Sequence, residues 1–311
     1  MARVLAVLQV LLGLAALASA RAGDTPEVDP RLAASGQVCQ WHSADGLKYE
    51  FYIPASYDSN AGACLTVVLH GNGLDQRWTF ANHPAGKFRP ADIVVSPDGT
   101  TYMESTKANE FMGETKDAAR IHALLAELKK TWKITQTFLY GHSQGSFFVF
   151  YYAGAFPEDV DGVCGQSSGA WNWTNMGSKS HRVAIDLMHG TKDGNVPYGQ
   201  SWWTREEYED KYKFPLVHLR TLFDWGHPPV WRQAEAQLAW CEGMTTPSAA
   251  RMQACMETLG APDIPLGLDW AALWAVADRL AQAEGEFNQF DRSGPFAIAY
   301  APPEHAQSAR L

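Results

Sequence analysis

Past its first twenty residues the chain has no apolar run long enough to cross a bilayer, so no stable membrane anchor is expected. It also has no basic stripe. Lys and Arg number 25 against 34 Asp and Glu, a formal charge of −9, which argues against a nucleic-acid partner and serves solubility instead. Neither a C-x-x-C nor an H-E-x-x-H spacing occurs, so the sequence offers no metal site and calls for no cofactor. No internal repeat precedes the central segment, and no low-complexity tract stands out.

What is present begins with an address. Arg3 precedes an apolar stretch from Val4 to Ala18, and Ala18-Ser19-Ala20 forms an A-x-A cleavage site. Residues 1–20 are predicted to be a signal peptide, and the protein to be secreted or periplasmic. Position 21 is Arg rather than Cys, so a lipid-anchored mature end is not expected. Export allows disulfides, and the odd count of five cysteines leaves at least one thiol unpaired. Cys241 with Cys255 is the first expected pair, because both flank a short polar loop containing Pro247; Cys39 with Cys64 is the second. Cys164 lies in an apolar run without a cysteine-protease signature and reads as a buried thiol.

Residues 21–242 read as an α/β catalytic domain. Leu65–Leu69, Ile93–Val95, Thr137–Tyr140, Val160–Cys164, Val183–Met188 and Leu216–Leu222 are strands, mostly continuous in their apolar character, as strands covered on both faces are. Helical patterns fall between them: Lys116–Trp132, with Ala119, Ile121, Leu124, Leu125 and Leu128 on one face, then Gly145–Phe156, Ser201–Tyr212 and Val230–Cys241. The alternation predicts a doubly wound, mostly parallel sheet. Gln40–Ile53 reads as an antiparallel hairpin turning at Asp45-Gly46. Residues 243–311 break the alternation and read as a C-terminal helical extension, with helices over Pro247–Leu259 and Leu268–Ala283 and a loose end from Pro295.

Gly141-His142-Ser143-Gln144-Gly145 is a G-x-S-x-G pentapeptide between a strand and a helix. In that setting the serine sits on a sharp turn with its hydroxyl above the sheet. A serine hydroxyl needs a base, and the base an orienting acid, in the chain order Ser, Asp or Glu, His. His227, beside Gly226 in a loop after the last strand, is the expected base. Asp193, past the end of the preceding strand, is the expected acid, with Asp224 as runner-up. Asp193 before Gly194 also fits a turn-capping aspartate. His142 is expected to pack beside the serine, and His189 to support the turn before Asp193. Oxyanion donors are expected from the backbone N–H of Gln144, at a helix start, and from Asn72 or Gly71 in the His70-Gly71-Asn72-Gly73 turn.

Together with His189-Gly190-Thr191-Lys192-Asp193 and Gly226-His227-Pro228, these motifs resemble the α/β-hydrolase superfamily over about Cys39 to Cys241. Within it the chain is most similar to exported esterases of the polyhydroxybutyrate depolymerase and feruloyl esterase type, and Ser-Pro-Asp-Gly at 96–99 resembles a turn common in that group. The resemblance implies a hydrolase using Ser143, His227 and Asp193 without metal or organic cofactor. Its partner would be a small-molecule or polymer-linked ester. Trp171, Trp173, Trp202, Trp203, Trp225 and Trp231 lie in or near loops after strands, where rings either stack on substrate or close loops over the core; Trp171, Trp202 and Trp225 are the candidate substrate contacts. The rival readings are a serine peptidase of the prolyl oligopeptidase type, a lipase with a lid, and a binding protein on the same scaffold.

Overall fold

The computed structural model describes residues 25–170, 183–212, 214, 216–245 and 298–299. Expectations for residues 1–20, Trp171, Trp173, Cys255 and the helices after Pro247 lie outside the described residues.

The chain opens with the antiparallel pair β1 (Val38–His42) and β2 (Lys48–Tyr52), followed by β3 (Ala63–Leu69), a short helix α1 (Trp78–Asn82) and β4 (Ile93–Pro97). A two-stranded ribbon, β5 (Thr101–Met103) and β6 (Ala108–Glu110), precedes α2 (Thr115–Thr131). Then come β7 (Ile134–His142), α3 (Gln144–Ala155), β8 (Gly162–Gln166), β9 (Ala184–Gly190), α4 (Gly199–Glu206), β10 (Val217–Leu222), α5 (Trp231–Thr245) and β11 (Ile298–Ala299). Nine strands form one sheet in the order β1-β2-β4-β3-β7-β8-β9-β10-β11. From β4 to β10 every neighbour is parallel, while β1, β2 and β11 add antiparallel edges. This is the doubly wound sheet that the alternating elements predict.

The side-chain period of two explains the continuous apolar runs. On β3, Leu65, Val67 and Leu69 face one core while Val68 faces the other. Leu139, Val163, Ile185 and Leu187 join the first, beneath α2 and α3; Phe138, Tyr140, Cys164 and Met188 join the second, beneath α5. One expectation shifts by a residue: Ala118, not Ala119, is buried on α2 with Ile121, Leu124, Leu125 and Leu128. Ala118, Ile121, Leu125 and Leu128 fall at helical spacings of three, four and three, a better stripe than one beginning at 119.

Among the described residues Cys39, Cys64, Cys164 and Cys241 are free thiols, and the expected Cys39–Cys64 pair is not formed. Cys39 sits on β1 and Cys64 on β3, with β2 and β4 between them. Three strand spacings of about 4.8 Å separate the two far beyond the roughly 7 Å limit for a bridge. Cys241 is buried on the face of α5 that meets β8, its sulfur 3.6 Å from that of Cys164. Among the described residues no helix is long and apolar enough to cross a membrane.

Candidate active site

The carboxyl ends of the parallel strands carry the site. β7 runs into Gly141-His142, and Ser143 follows at φ 53° and ψ −118° before α3 begins at Gln144. A non-glycine residue held at positive φ is strained, and it persists only where its surroundings fix it. Here the Ser143 N–H is bonded to the Gln166 carbonyl on β8 (2.9 Å), and its carbonyl accepts the Phe147 N–H of α3 (3.1 Å). The strand and helix pass so closely that only glycine fits on either side. A Cβ on Gly141 would fall 2.4 Å from the Gly145 backbone, and one on Gly145 2.4 Å from the Leu69 carbonyl oxygen.

His227 lies in the loop after β10, and its Nε2 is 2.9 Å from Ser143 Oγ. On the other side of the ring Nδ1 is 2.8 Å from Asp193 Oδ2. Three residues far apart in sequence thus form one hydrogen-bonded line. The backbone at His227 is clamped as well: its carbonyl accepts from His142 Nε2 (2.8 Å) and Ser167 Oγ (3.4 Å). His142 is buried, stacks against Trp78, and lies 5.0 Å ring to ring from His227. Burial holds its imidazole down to about 4, only partly offset by the bond to the His227 carbonyl, so it is neutral and donates through Nε2.

Asp193 has a fully buried carboxylate. Oδ1 accepts the backbone N–H groups of Asn195 and Val196, each at 2.9 Å, and Oδ2 faces His227. Burial opposes the charge, but the Val196 N–H, the His227 imidazole and the Asn195 N–H outweigh it and hold the carboxyl below the usual carboxylate range. The acid and histidine loops also touch directly. Lys192 N–H donates to the Trp225 carbonyl (2.8 Å), and a Cβ on Gly190 would meet that same oxygen at 2.3 Å.

Beside the serine runs the turn after β3. Gly71 is buried, and a Cβ there would sit 3.4 Å from Ser143 Cβ. The Leu74 N–H and the His70 ring both bond the Gly71 carbonyl (3.3 and 2.9 Å), while Gly73 N–H donates to Glu110 Oε1 (2.9 Å). Among the described residues the N–H groups of Gly71 and Asn72 have no acceptor. Gln144 N–H, at the first turn of α3, has none within its helix.

The sequence profile of the alpha/beta hydrolase fold matches residues 93–223, the segment containing Ser143 and Asp193. The strand order, the elbow after β7 and this match agree. The chain has the α/β-hydrolase fold. Solved structures similar to it include an acetyl xylan esterase from Aspergillus awamori (12% identity, TM-score 0.51, covering 66% of this chain and 99% of that one). A feruloyl esterase module from Clostridium thermocellum complexed with sinapinate aligns at 14% identity and TM-score 0.50, over 68% of this chain and 89% of the module. A thermostable esterase aligns at 15% identity and TM-score 0.50; the chain spans 61% of its length. At these identities the likeness is one of fold. No curated protein sequence matches the chain.

Within this hydrolase fold not every expected site residue converges. Asp224, the runner-up acid, is exposed and pairs with Lys192 (2.8 Å) away from the imidazole. Trp225 is half-buried, with its indole N–H tied to the Pro228 carbonyl (2.9 Å), which braces the His227 loop from within. Trp202 lies on α4 with the Arg205 guanidinium 5.4 Å from its ring, and Trp231 packs on Trp78 (4.6 Å) in the second core. Two supports escaped the sequence reading. Glu110, on the β5–β6 ribbon, holds the Gly73 N–H, and Phe111 N–H reaches the Gln144 side chain (3.3 Å), so one ribbon steadies both the elbow and the turn beside it. Strands this short carry no periodic signal, and in the sequence Glu110 is only an acidic residue beside an apolar Phe111; its burial is visible in the fold alone.

Proposed function

We propose that this chain is a serine hydrolase that cleaves carboxylic esters through an acyl-enzyme. The observation that carries the reading is the line from Ser143 Oγ through His227 to Asp193, with both links inside 3 Å. His227 Nε2 takes the hydroxyl proton as Ser143 Oγ attacks the ester carbonyl. Asp193 keeps the proton on Nδ1 and stabilises the imidazolium that forms. The negative charge on the former carbonyl oxygen is met by the N–H of Gln144 and by that of Asn72 or Gly71, donors fixed before the reaction begins. As the intermediate collapses, Nε2–H protonates the departing alcohol. The imidazole then takes a proton from water as its oxygen attacks the acyl carbon. When this second intermediate collapses, the imidazolium returns the proton to Ser143 Oγ, which departs as the free hydroxyl and leaves the acid. Each step uses groups of the chain itself.

The substrate class we assign is a small-molecule or polymer-linked ester of the kind cleaved by feruloyl esterase or polyhydroxybutyrate depolymerase enzymes. The motif resemblance supports this, as do the names of the similar folds. The leader pattern of residues 1–20 supports a secreted or periplasmic site of action, with residues 21–242 carrying the chemistry. The test is Ser143→Ala against p-nitrophenyl acetate, butyrate and ferulate, with fluorophosphonate labelling of the unsubstituted protein. Turnover should fall by several orders of magnitude while the melting temperature holds, and the label should reside on Ser143. Undiminished turnover, or no labelling of an intact protein, rejects the proposal.

A further inference from the structure

Rest of the site granted, one buried imidazole on the acid loop has no part in the steps above. His189 is the last residue but one of β9, four residues before Asp193, and its side chain is fully buried. Its Nε2 stands 3.2 Å from Asp193 Oδ2, the same oxygen that faces His227, and 3.0 Å from the Val196 carbonyl. Two acceptors at Nε2 require that this nitrogen carry the proton. Burial pulls the ring below the ordinary histidine range, partly offset by the Val196 carbonyl and by Asp193. Nδ1 is 2.7 Å from Ser201 Oγ on α4, and that hydroxyl also meets the Ser168 carbonyl beyond β8. Tyr198 packs edge-on against the ring (5.8 Å).

We infer that His189 is a positioning residue for the reaction, a second histidine on the same carboxylate that fixes the Asp193 oxygen orienting His227. The inference rests on the proposed roles of Ser143, His227 and Asp193. A carboxylate offers about four acceptor sites. On Asp193 the N–H groups of Asn195 and Val196 take two on Oδ1 and His227 takes one on Oδ2, while His189 Nε2, hydrogen-bonded to the Val196 carbonyl, stands 3.2 Å from that same Oδ2. Held at both oxygens, the carboxylate resists rotation about its last bond, and the His189 contact ties the plane of Oδ2 to β9 and, through Ser201, to α4. His189 also draws on charge that would otherwise bear on His227 alone. The titratable groups around this pair are Asp193 itself, His142 across the His227 ring, and Tyr198; Lys192 and Asp224 neutralise each other at the surface.

The experiment compares His189→Phe, which keeps a ring but loses the donor, with His189→Gln, which keeps an N–H near the same position, and with Ser201→Ala, which frees the ring's far side. For the phenylalanine variant kcat should drop roughly tenfold, the scale of one hydrogen bond to a charged group. KM should stay within about twofold, since His189 meets no substrate. The acid limb of the kcat/KM profile should move to higher pH, because the carboxylate then bears on His227 alone. Glutamine should restore most of the rate and return the limb toward its original position, and Ser201→Ala should act in the same direction as phenylalanine but less. A readout independent of ester turnover is the downfield proton resonance of the His227–Asp193 hydrogen bond, which should shift in His189→Phe. An unshifted resonance and an unmoved acid limb in a folded phenylalanine variant overturn the inference, as does equal loss in both His189 variants. If Ser143→Ala retains turnover while the resonance still responds to His189, the esterase reading fails and the positioning contact stands.

Discussion

Replacing Asp193 by Asn removes one charge and almost no volume, and the structure dictates where the new amide must point. Two backbone N–H groups already approach Oδ1, from Asn195 and Val196. The amide oxygen therefore stays there and the NH2 group takes the place of Oδ2, facing His227 Nδ1 and His189 Nε2. A donor now opposes the proton on Nδ1. His227 relieves the clash by moving its proton to Nε2, which then donates toward Ser143 Oγ (2.9 Å) and has no lone pair to accept the hydroxyl proton. The loss in kcat should be of the order of 10⁴, about 5.5 kcal/mol of transition-state stabilisation, with KM little changed. Steady-state turnover of p-nitrophenyl acetate measures it. A loss below about tenfold would refute the argument, because it would mean that the imidazole reaches its reactive tautomer without the carboxylate. The stability consequence has a defined sign. Asp193 binds its proton more weakly folded than unfolded, so its contribution is present above the unfolded value near 4 and is lost as pH falls through the lower folded value. The gap in melting temperature between the native chain and the Asn variant should therefore be widest above about pH 4 and close in stronger acid.

Gly145→Ala should abolish soluble, active protein or lower the melting temperature sharply, since its methyl would lie 2.4 Å from a backbone oxygen rather than from a side chain able to move. Thermal unfolding decides it, and a melting temperature equal to that of the unsubstituted chain would disprove the close approach. Asp224→Asn should leave kcat within about twofold, because the residue is exposed and its ion pair with Lys192 is of the kind worth little at a surface. A loss comparable to that of Asp193→Asn would mean that the acid has been misassigned.

Much of the sheet was legible because its physics is local. A strand buried on both faces is apolar at every position, and the helices between such strands carry a stripe; the two signals together give the order of elements without any contact. The missed features share a different character. The β5–β6 ribbon consists of two three-residue strands, Thr-Tyr-Met and Ala-Asn-Glu, with no periodicity to read. α1 spans five residues and is held by Trp78 and Thr79 against the second core and Ser96 rather than by its own pattern. The expected Cys39–Cys64 pairing failed for a related reason. Position along the chain does not report strand order, and that order puts Cys39 and Cys64 three spacings apart, while the packing of α5 on β8 brings Cys241 to Cys164.

Asp193 shows why two sequence readings of one residue need not compete. An aspartate before glycine caps a turn, and its partners Asn195 and Val196, two and three residues on, are those that such a turn supplies. That bonding occupies only Oδ1. The second oxygen is turned into the interior, where His189 and His227 meet it, so the turn is the device that aims the carboxylate. Asp224 is the contrasting case: at φ 56° its backbone turns the side chain outward, and Lys192 on the surface takes the charge. Which of two loop aspartates faces an imidazole is thus decided by which one's local turn leaves an oxygen free on the buried side. Gly194 marks that turn in the sequence, whereas the burial that gives it consequence belongs to β9, α4 and the two loops packed across Gly190.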